Sequence, residues 1–429
     1  MPHSPRLARP NVVTGTVLLL SLLLLTSAAD DPRGSAAPLT DLQRLTSPAA
    51  PGSLAPSLAV SPEGDVWLTW LEPRKASGHA LRAARLDGIR WGPTITIAEG
   101  DSLFVNGFDP PSMVAHGGGR LVVHYGWKGV EPGAHQVRLA QSRDNGTTWS
   151  APRVTHRDGT PTEHGFVSLV PVGEDTRAVW LDGRNAMREN ALGRLVAAPE
   201  GEYETTLRSA VLDAAGAMAA DSELDSRVCD CCPTAAVMTA SGPLVAYRGR
   251  SAGEIRDILV TRLEGGHWSM PVAIHDDGWK IPGCPVNGPA LAADVKRVAA
   301  AWFTEGDGKA RVQLAFSDDC GAHFGEPVRV DAGQPLGRTQ VQLLRGGDAL
   351  VAWLEGKGSD VTLEVRRVGA TGTLGSPLTV AHTTQRAGRP RLEVLDGRAV
   401  LAWTEPGTPS QVRVAIGQIP SGTKKPDAR

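Results

Sequence analysis

One pattern of apolar and polar positions recurs along this chain. An apolar run of strand length reaches an aromatic residue, often with an acidic residue two places on. The stretches are VWLTWLE around Trp70, LVVHYGW around Tyr125, TRAVWLD around Trp180 and PLVAYRG around Tyr247. VAAAWFTE around Trp302, ALVAWLE around Trp353 and AVLAWTE around Trp403 complete the series. The intervals between these aromatics are 55, 55, 67, 55, 51 and 50 residues. The long interval holds an insertion around 183–204. Each interval accommodates four short strands, which in the first unit are PSLAVSP, DVWLTWLE, ALRAARLD and GPTITIAE. They alternate or are β-branched, and Gly, Asp or Pro turns separate them. No segment sustains a helical apolar period. A single four-stranded sheet leaves a face unburied, whereas a ring of such sheets buries both faces and leaves only short edges. The pattern predicts an all-β protein, a β-propeller of seven four-stranded blades. A six-bladed ring with spare strands, or an open solenoid, is the alternative.

The last unit has three strands, RPRLEVLD, RAVLAWTE and QVRVAIG, and then a Gly/Lys/Pro tail. The segment LTDLQRLTS at 39–47 resembles the outer strand of the other units, so the N-terminal side is expected to close the seventh blade. Before it, His3, Arg6 and Arg9 precede the apolar run Val17–Leu25 and the small residues Thr26 to Ala29. This is the order of an export signal, with an uncleaved anchor as the alternative. The expected layout is a signal at 1–29, a linker with the ring-closing strand at 30–53, the propeller at 54–420 and a disordered tail at 421–429. An exported chain implies a periplasmic or extracellular location, no stable membrane span after processing, and a monomer.

Charge and cysteine content narrow the chemistry. A net charge of −2 gives no basic excess for nucleic acid or an anionic membrane. Five cysteines are present, three of them within RVCDCCPTAAV as Cys229, Cys231 and Cys232. Cys284 lies in GCPVNGP, in the same type of loop one blade on, and should come near the triplet. In an oxidising compartment a disulfide from Cys284 to Cys231 or Cys232 is the first reading. A copper(I) or zinc site of three or four thiolates, helped by Asp230 or His164, is the second. A catalytic thiol is the third. Setting Cys320 aside leaves four cysteines, an even number that fits two disulfides.

Two turns carry a further signature. Ser142–Trp149, SRDNGTTW, fits S-x-D-x-G-x-x-W through Ser142, Asp144, Gly146 and Trp149. Ser317–Phe324, SDDCGAHF, is a degenerate copy through Ser317, Asp319, Gly321 and Phe324. Both fall between the third and fourth strands of their units, where an Asp can bond the backbone of a tight turn and Gly supplies a conformation other residues resist. These are the features of the Asp-box, or BNR repeat, and over about residues 50–420 the sequence resembles the sialidase-like propeller superfamily. It also looks like bacterial exported sialidase-like proteins that share CDCCPTAA and GCPVNGPA. The resemblance implies action on an acidic glycan. Sialidases of this superfamily have six blades, an arginine triad for the substrate carboxylate, a Tyr–Glu nucleophile pair, an Asp acid/base and an Arg-Ile-Pro-like start. Here the first strand reads APSLAV and the repeat count is seven.

In a propeller, the loops entering the inner strands and those leaving the second strands share one face around the channel. The first set carries Asn106, Asp109, Glu163, His164, Cys229, Asp230, Cys231, Cys232, Cys284, Asn287, Arg338 and Arg389. The second carries Glu72, Lys128, Asp182, Arg184, Arg248, Arg250, Glu305, Glu355 and Glu405. Such a mouth suits a polar or charged ligand, an acidic glycan above all. For glycosidase chemistry two carboxyl groups must flank the bond. Asp182, Glu305, Glu355 and Glu405 are candidates, with Tyr247 as a nucleophile or as a core aromatic. Arg248, Arg338 and Arg389 could grip a carboxylate, with Glu72 and His164 as further contacts. A non-catalytic propeller binding a ligand or protein, and a metal-binding protein using the four cysteines, are the competing functions.

Overall fold

The apolar runs form strands, and the turns between them close antiparallel sheets. The computed structural model describes residues 37–420 except 191, 193, 200–202 and 359. The signal expected at 1–29 and the tail expected at 421–429 lie outside them. Among the described residues, no helix is long and apolar enough to cross a membrane.

Seven radial sheets make a β-propeller. Blade one uses Leu54–Val60, Val66–Pro73, His79–Asp87 and Ile95–Gly100, from inner to outer strand. The inner strands of the following blades are Ser112–Gly117, His164–Val172, Ala235–Thr239, Ala290–Asp294, Pro335–Leu343 and Arg391–Leu395. Each inner strand neighbours the next around the ring, and Arg391–Leu395 returns to Leu54–Val60. The outer strand of blade seven is Thr40–Leu45, antiparallel to Gln411–Gln418 with Leu45 opposite Val414. The insertion in blade three forms a small hairpin, Met187–Glu189 with Leu195–Ala197.

Strand alternation explains the core. Apolar residues on the two faces of each sheet go to different blade junctions, and the described residues contain one buried apolar cluster per junction. In blade one, Leu68 and Trp70 face blade seven, whereas Trp67 and Leu71 face blade two. The repeated aromatics all face the preceding blade. Trp70 lies in the seven–one junction, Tyr125 in one–two, Trp180 in two–three and Tyr247 in three–four. Trp302, Trp353 and Trp403 continue the series.

The polar atom of most of these aromatics meets a carboxylate. Trp70 Nε1 donates to Glu72 (2.7 Å), Trp180 to Asp182 (2.8 Å) and Trp353 to Glu355 (2.5 Å). Trp302 donates to Asp277 (2.7 Å), and the Tyr247 hydroxyl donates to Asp225 (2.6 Å). The acidic residue two places after the aromatic is therefore a same-face partner that satisfies an N–H at the edge of the core. Blade seven departs from this. Glu405 turns to Arg44 of the closing strand (2.9 Å) and Arg413 (2.6 Å), and the Trp403 N–H has no partner.

The two S-x-D-x-G turns are self-bonded. Ser142 donates to Asp144 (2.8 Å), Gly146 N–H donates to Ser142 Oγ (2.8 Å), and Thr148 N–H donates to Asp144 (2.9 Å). Ser317, Asp319, Gly321 and His323 repeat the arrangement. Trp149 and Phe324 pack against the junctions with the preceding blades.

Candidate functional site at the channel mouth

The inner strands line a central cavity of about 330 Å³. The β-ladders put Ser57, Ser112, Ser168, Ala235, Ala290, Gln340 and Arg391 at equivalent positions, each paired one residue before its blade's aromatic. Six blades offer a small or neutral residue there, and blade seven alone offers a cation. Arg391 is flanked by Glu393 on its strand and by Arg389 just before it, and all three line the cavity. Arg338 comes from the neighbouring blade six.

These three guanidiniums bond backbone carbonyls rather than carboxylates. Arg338 donates to Val286 O, Arg389 to Pro289 O (3.3 Å) and Arg391 to Pro56 O (3.3 Å). Arg338 also lies over the Phe108 ring, 4.8 Å from its centroid. Its backbone has φ +58°, a left-handed conformation shared by Ala55 and Phe166 at the matching bulges of blades one and three. Asn287 holds this turn, accepting Arg338 N–H (2.9 Å) and donating to Leu336 O (3.1 Å). Burial pushes Arg338 down to about 10. Burial and the neighbouring cations Arg391 and Arg338 push Arg389 down to about 9. Arg391 is held at about 10, again by burial. All three stay charged at neutral pH; the other two cations press on Arg389, while Glu393 and Asp109 partly offset burial on Arg391.

Carboxyl groups stand beside them. Asp109 lies where the backbone N–H groups of Phe166 and Val167 face it, and burial pushes it up to about 6 against their pull and that of Arg391. A Cβ on Gly165 would sit 2.6 Å from Asp109 Oδ2 and 3.1 Å from His135 Nε2, so glycine is needed for these groups to close over the backbone. Glu163 is 4.0 Å from His135 Nε2. Partial burial, with the charges of Asp109 and Asp230, pushes Glu163 up to about 7; its side chain is 58 % exposed, so water moderates that push. His135 stacks on Phe104 with centroids 4.2 Å apart, and its buried Nε2 has no hydrogen-bond partner. Desolvation pushes it down to about 4, leaving it neutral. Glu393, deeper on the blade-seven strand, is pushed up to about 8 by burial.

Of the residues nominated from sequence, Arg338 and Arg389 come together here. Arg248 does not join them. It is fully buried and donates to the backbone carbonyls of Asn287, Arg256 and Phe303, so it supports the Asn287 turn from behind. Arg391 stands in its place. Tyr247 is likewise buried in the three–four junction. Glu72 and Glu355 are indole clasps, and Glu405 is held by two arginines, which removes these three from the mouth's free acids. Glu305 is exposed and lines a neighbouring cleft of about 260 Å³ with Arg338, Trp279 and Phe303.

Asp182 and His164 belong to a second, internal cluster. Asp182 is buried and receives Arg184 as a fork (2.8 and 2.7 Å). His164 contacts Asp158 (3.2 Å) and stacks on His156 with centroids 3.5 Å apart. Although burial opposes it, Asp158 and Asp182 hold His164 above its ordinary pKa. His156, Asp158 and His164 are spaced to share a metal ion. The Arg184 cation, 3.5 Å from Asp158 and 2.9 Å from Asp221, already serves these carboxylates.

The cysteines form one disulfide, Cys231–Cys284, between the loops entering blades four and five. Cys229, Cys232 and Cys320 are free and buried. The second disulfide that an even count allows is therefore not formed. With Cys231 and Cys284 joined, the four-thiolate copper or zinc set is not available in this state. Cys320 stays apart in the Ser317 turn.

Arg391, Glu393 and His135 escaped nomination. The alternation R-x-R-x-E at 389–393 was the available signal for the first two, since period two puts all three on one side of a strand. Nothing in the sequence marked His135.

No family model matches the sequence, and no curated protein matches it. Solved structures resemble it in fold. The polysaccharide lyase Uly1 superposes with a TM-score of 0.52 at 8% identity, covering 86% of this chain and 90% of that one. The α-L-arabinofuranosidase Arb93A from Fusarium graminearum gives 0.48 at 12% identity, covering 89% and 98%. The Hadza microbial sialidase Hz136 gives 0.47 at 12% identity, covering 79% and 73%. At 8% identity the likeness to Uly1 is one of fold alone.

Proposed function

We propose that this is an exported propeller that binds an acidic glycan at its channel mouth. The observation that carries the reading is that Arg389 and Arg391 line the channel, with Arg338 near enough to act on Arg389, and that all three guanidiniums bond carbonyls and not carboxylates. An incoming carboxylate or sulfate would relieve the repulsion of Arg391 and Arg338 on Arg389 and accept forked hydrogen bonds. That a polysaccharide lyase uses the same fold is in keeping with a glycan ligand. Asp109 and Glu163, with pKa values drawn toward neutrality beside these cations, are the groups placed to move a proton at a bound sugar.

Calorimetric titration with sialic acid, glucuronic acid and neutral galactose tests the reading. The acids are expected to bind and galactose not to bind. Arg391→Ala should weaken the acids about 10- to 100-fold, the value of one charge-assisted contact. Equal binding of galactose, or an unchanged affinity in the variant, would sink it. Binding without cleavage is the second reading. It is favoured by the burial of Tyr125 and Tyr247 in blade junctions, which withholds their hydroxyls from a Tyr–Glu nucleophile pair. Release of fluorophore from a fluorogenic sialoside or glucuronide separates the two.

A further inference from the structure

The free thiols beside the disulfide are arranged for chemistry that glycan binding does not use. Cys229 Sγ lies 3.4 Å from Cys232 Sγ and 3.9 Å from Cys231 Sγ, which is already bonded to Cys284. Cys229 and Cys232 are fully buried, Cys231 is half-buried and Cys284 is exposed. A guanidinium N–H of Arg256 donates to Cys229 Sγ at 3.0 Å. Arg256 is itself buried and is fixed by Glu254 at 2.8 Å. A cation held on a buried thiol is the environment of a nucleophilic sulfur, not of an inert core cysteine.

We infer that this cluster is a thiol–disulfide exchange centre, in which Cys229 attacks Cys231 and releases Cys284 as a surface thiol beside the channel mouth. The Cys229 thiolate forms a bond to Cys231 Sγ. The Cys231–Cys284 bond breaks, and its electron pair leaves on Cys284, which takes a proton from water. Cys232 then loses its proton to solvent and attacks Cys229. This forms Cys229–Cys232 and returns an electron pair, and then a proton, to Cys231. One disulfide and two thiols are present at every stage, so no outside oxidant or reductant is consumed. The end state buries the disulfide and presents Cys231 and Cys284 as a dithiol for a disulfide-bearing partner. The ionisation order agrees. The hydrogen bond with Cys232, the Cys231 backbone N–H and Arg256 hold Cys229 below the ordinary thiol value, whereas burial pushes Cys232 well up. The first attacker is thus the more readily ionised of the pair and the second is held in reserve.

The test is alkylation of the full chain, purified without reductant, by iodoacetamide under native conditions at pH 8, followed by mass mapping. Time-dependent labelling of Cys284 is expected, with the surviving disulfide recovered as Cys229–Cys231 or Cys229–Cys232. In Cys229→Ser, Cys284 labelling should fall at least about tenfold. In Cys232→Ser the recovered disulfide should be Cys229–Cys231 alone. Arg256→Gln, which keeps every sulfur, should slow labelling, and it carries the test if Cys229→Ser fails to fold. Cys320→Ser should label like the parent chain. An unlabelled Cys284 in the parent chain, or a rate unchanged by both Cys229→Ser and Arg256→Gln, overturns the proposal and makes Cys229 an inert core thiol.

Discussion

A carboxylate two residues after a tryptophan reads equally well as a catalytic acid or as a partner for the indole. Strand geometry decides between them. Period two puts residues i and i+2 on one face, so Glu72, Asp182 and Glu355 sit beside their own Trp N–H groups. The residues that differ are those off this register. Glu393 on the channel wall is the clearest, with Gln342 Nε2 donating to it at 3.0 Å. Burial lifts it from an ordinary value of 4.5 to about 8. A carboxyl raised in the fold favours the protonated protein, so its contribution to stability is full below about 4.5 and is lost as pH rises through about 8. Glu393→Gln cannot ionise. Its thermal midpoint is expected to match the parent chain at pH 4 and to exceed it at pH 9, as scanning calorimetry at both pH values would read. An equal pH dependence in the two proteins would show that water in the channel already solvates the charge.

At the scale of strands and turns, the sequence was most legible where a local rule acts. The aromatic period and the turn residues marked the blades, because both depend on neighbours a few residues apart. The S-x-D-x-G turns show a further layer that local reading misses. Gly146 has φ +79°, and a Cβ there would stand 2.4 Å from Ile95 Cδ1 of blade one. Gly321 has φ +80°, and its Cβ would stand 2.7 Å from Leu244 of blade four. Each glycine thus serves its own turn and also the fit of that turn against the preceding blade. Gly146→Val combines backbone strain with a collision and is expected to lose about 2–4 kcal/mol. Asn145→Ala, one residue earlier at φ +55°, adds no atoms to the turn and should lose less than half of that. Urea unfolding of the two variants measures the difference. The site was less legible, because Arg338, Arg389, Asp109 and Glu163 come from four different blades. Their approach depends on blade order and on bulges such as that at Arg338, which no residue pattern marks. Arg248 shows the hazard. It stands in the right class of loop, yet its strand register turns it into the core.

For the whole molecule, the decisive event is closure of the ring. Thr40–Leu45 pairs with Gln411–Gln418, so the last blade draws its outer strand from the far end of the chain. This strand does more than cover an edge. Leu39 packs into the six–seven junction and Leu45 into the seven–one junction, while Arg44 bonds Glu405 and lies over Trp403, 5.4 Å from its ring centroid. Arg391 and Glu393 lie on the inner strand of this same blade and Arg389 just before it, so the charge arrangement at the mouth depends on blade seven keeping its place. A chain beginning at residue 48 keeps every residue of the channel wall but bares the Gln411–Gln418 edge and loses both leucines. An open strand edge recruits other chains. The shortened protein is expected to melt at least about 5 °C lower, given the few kcal/mol that two buried leucines contribute, and to elute as oligomers in size-exclusion chromatography. Adding a peptide of residues 37–47 should restore the parental elution volume and melting temperature together. If the shortened chain keeps the parental elution volume and midpoint, the ring is held by its inner strands alone and the N-terminal strand is a covering, not a clasp.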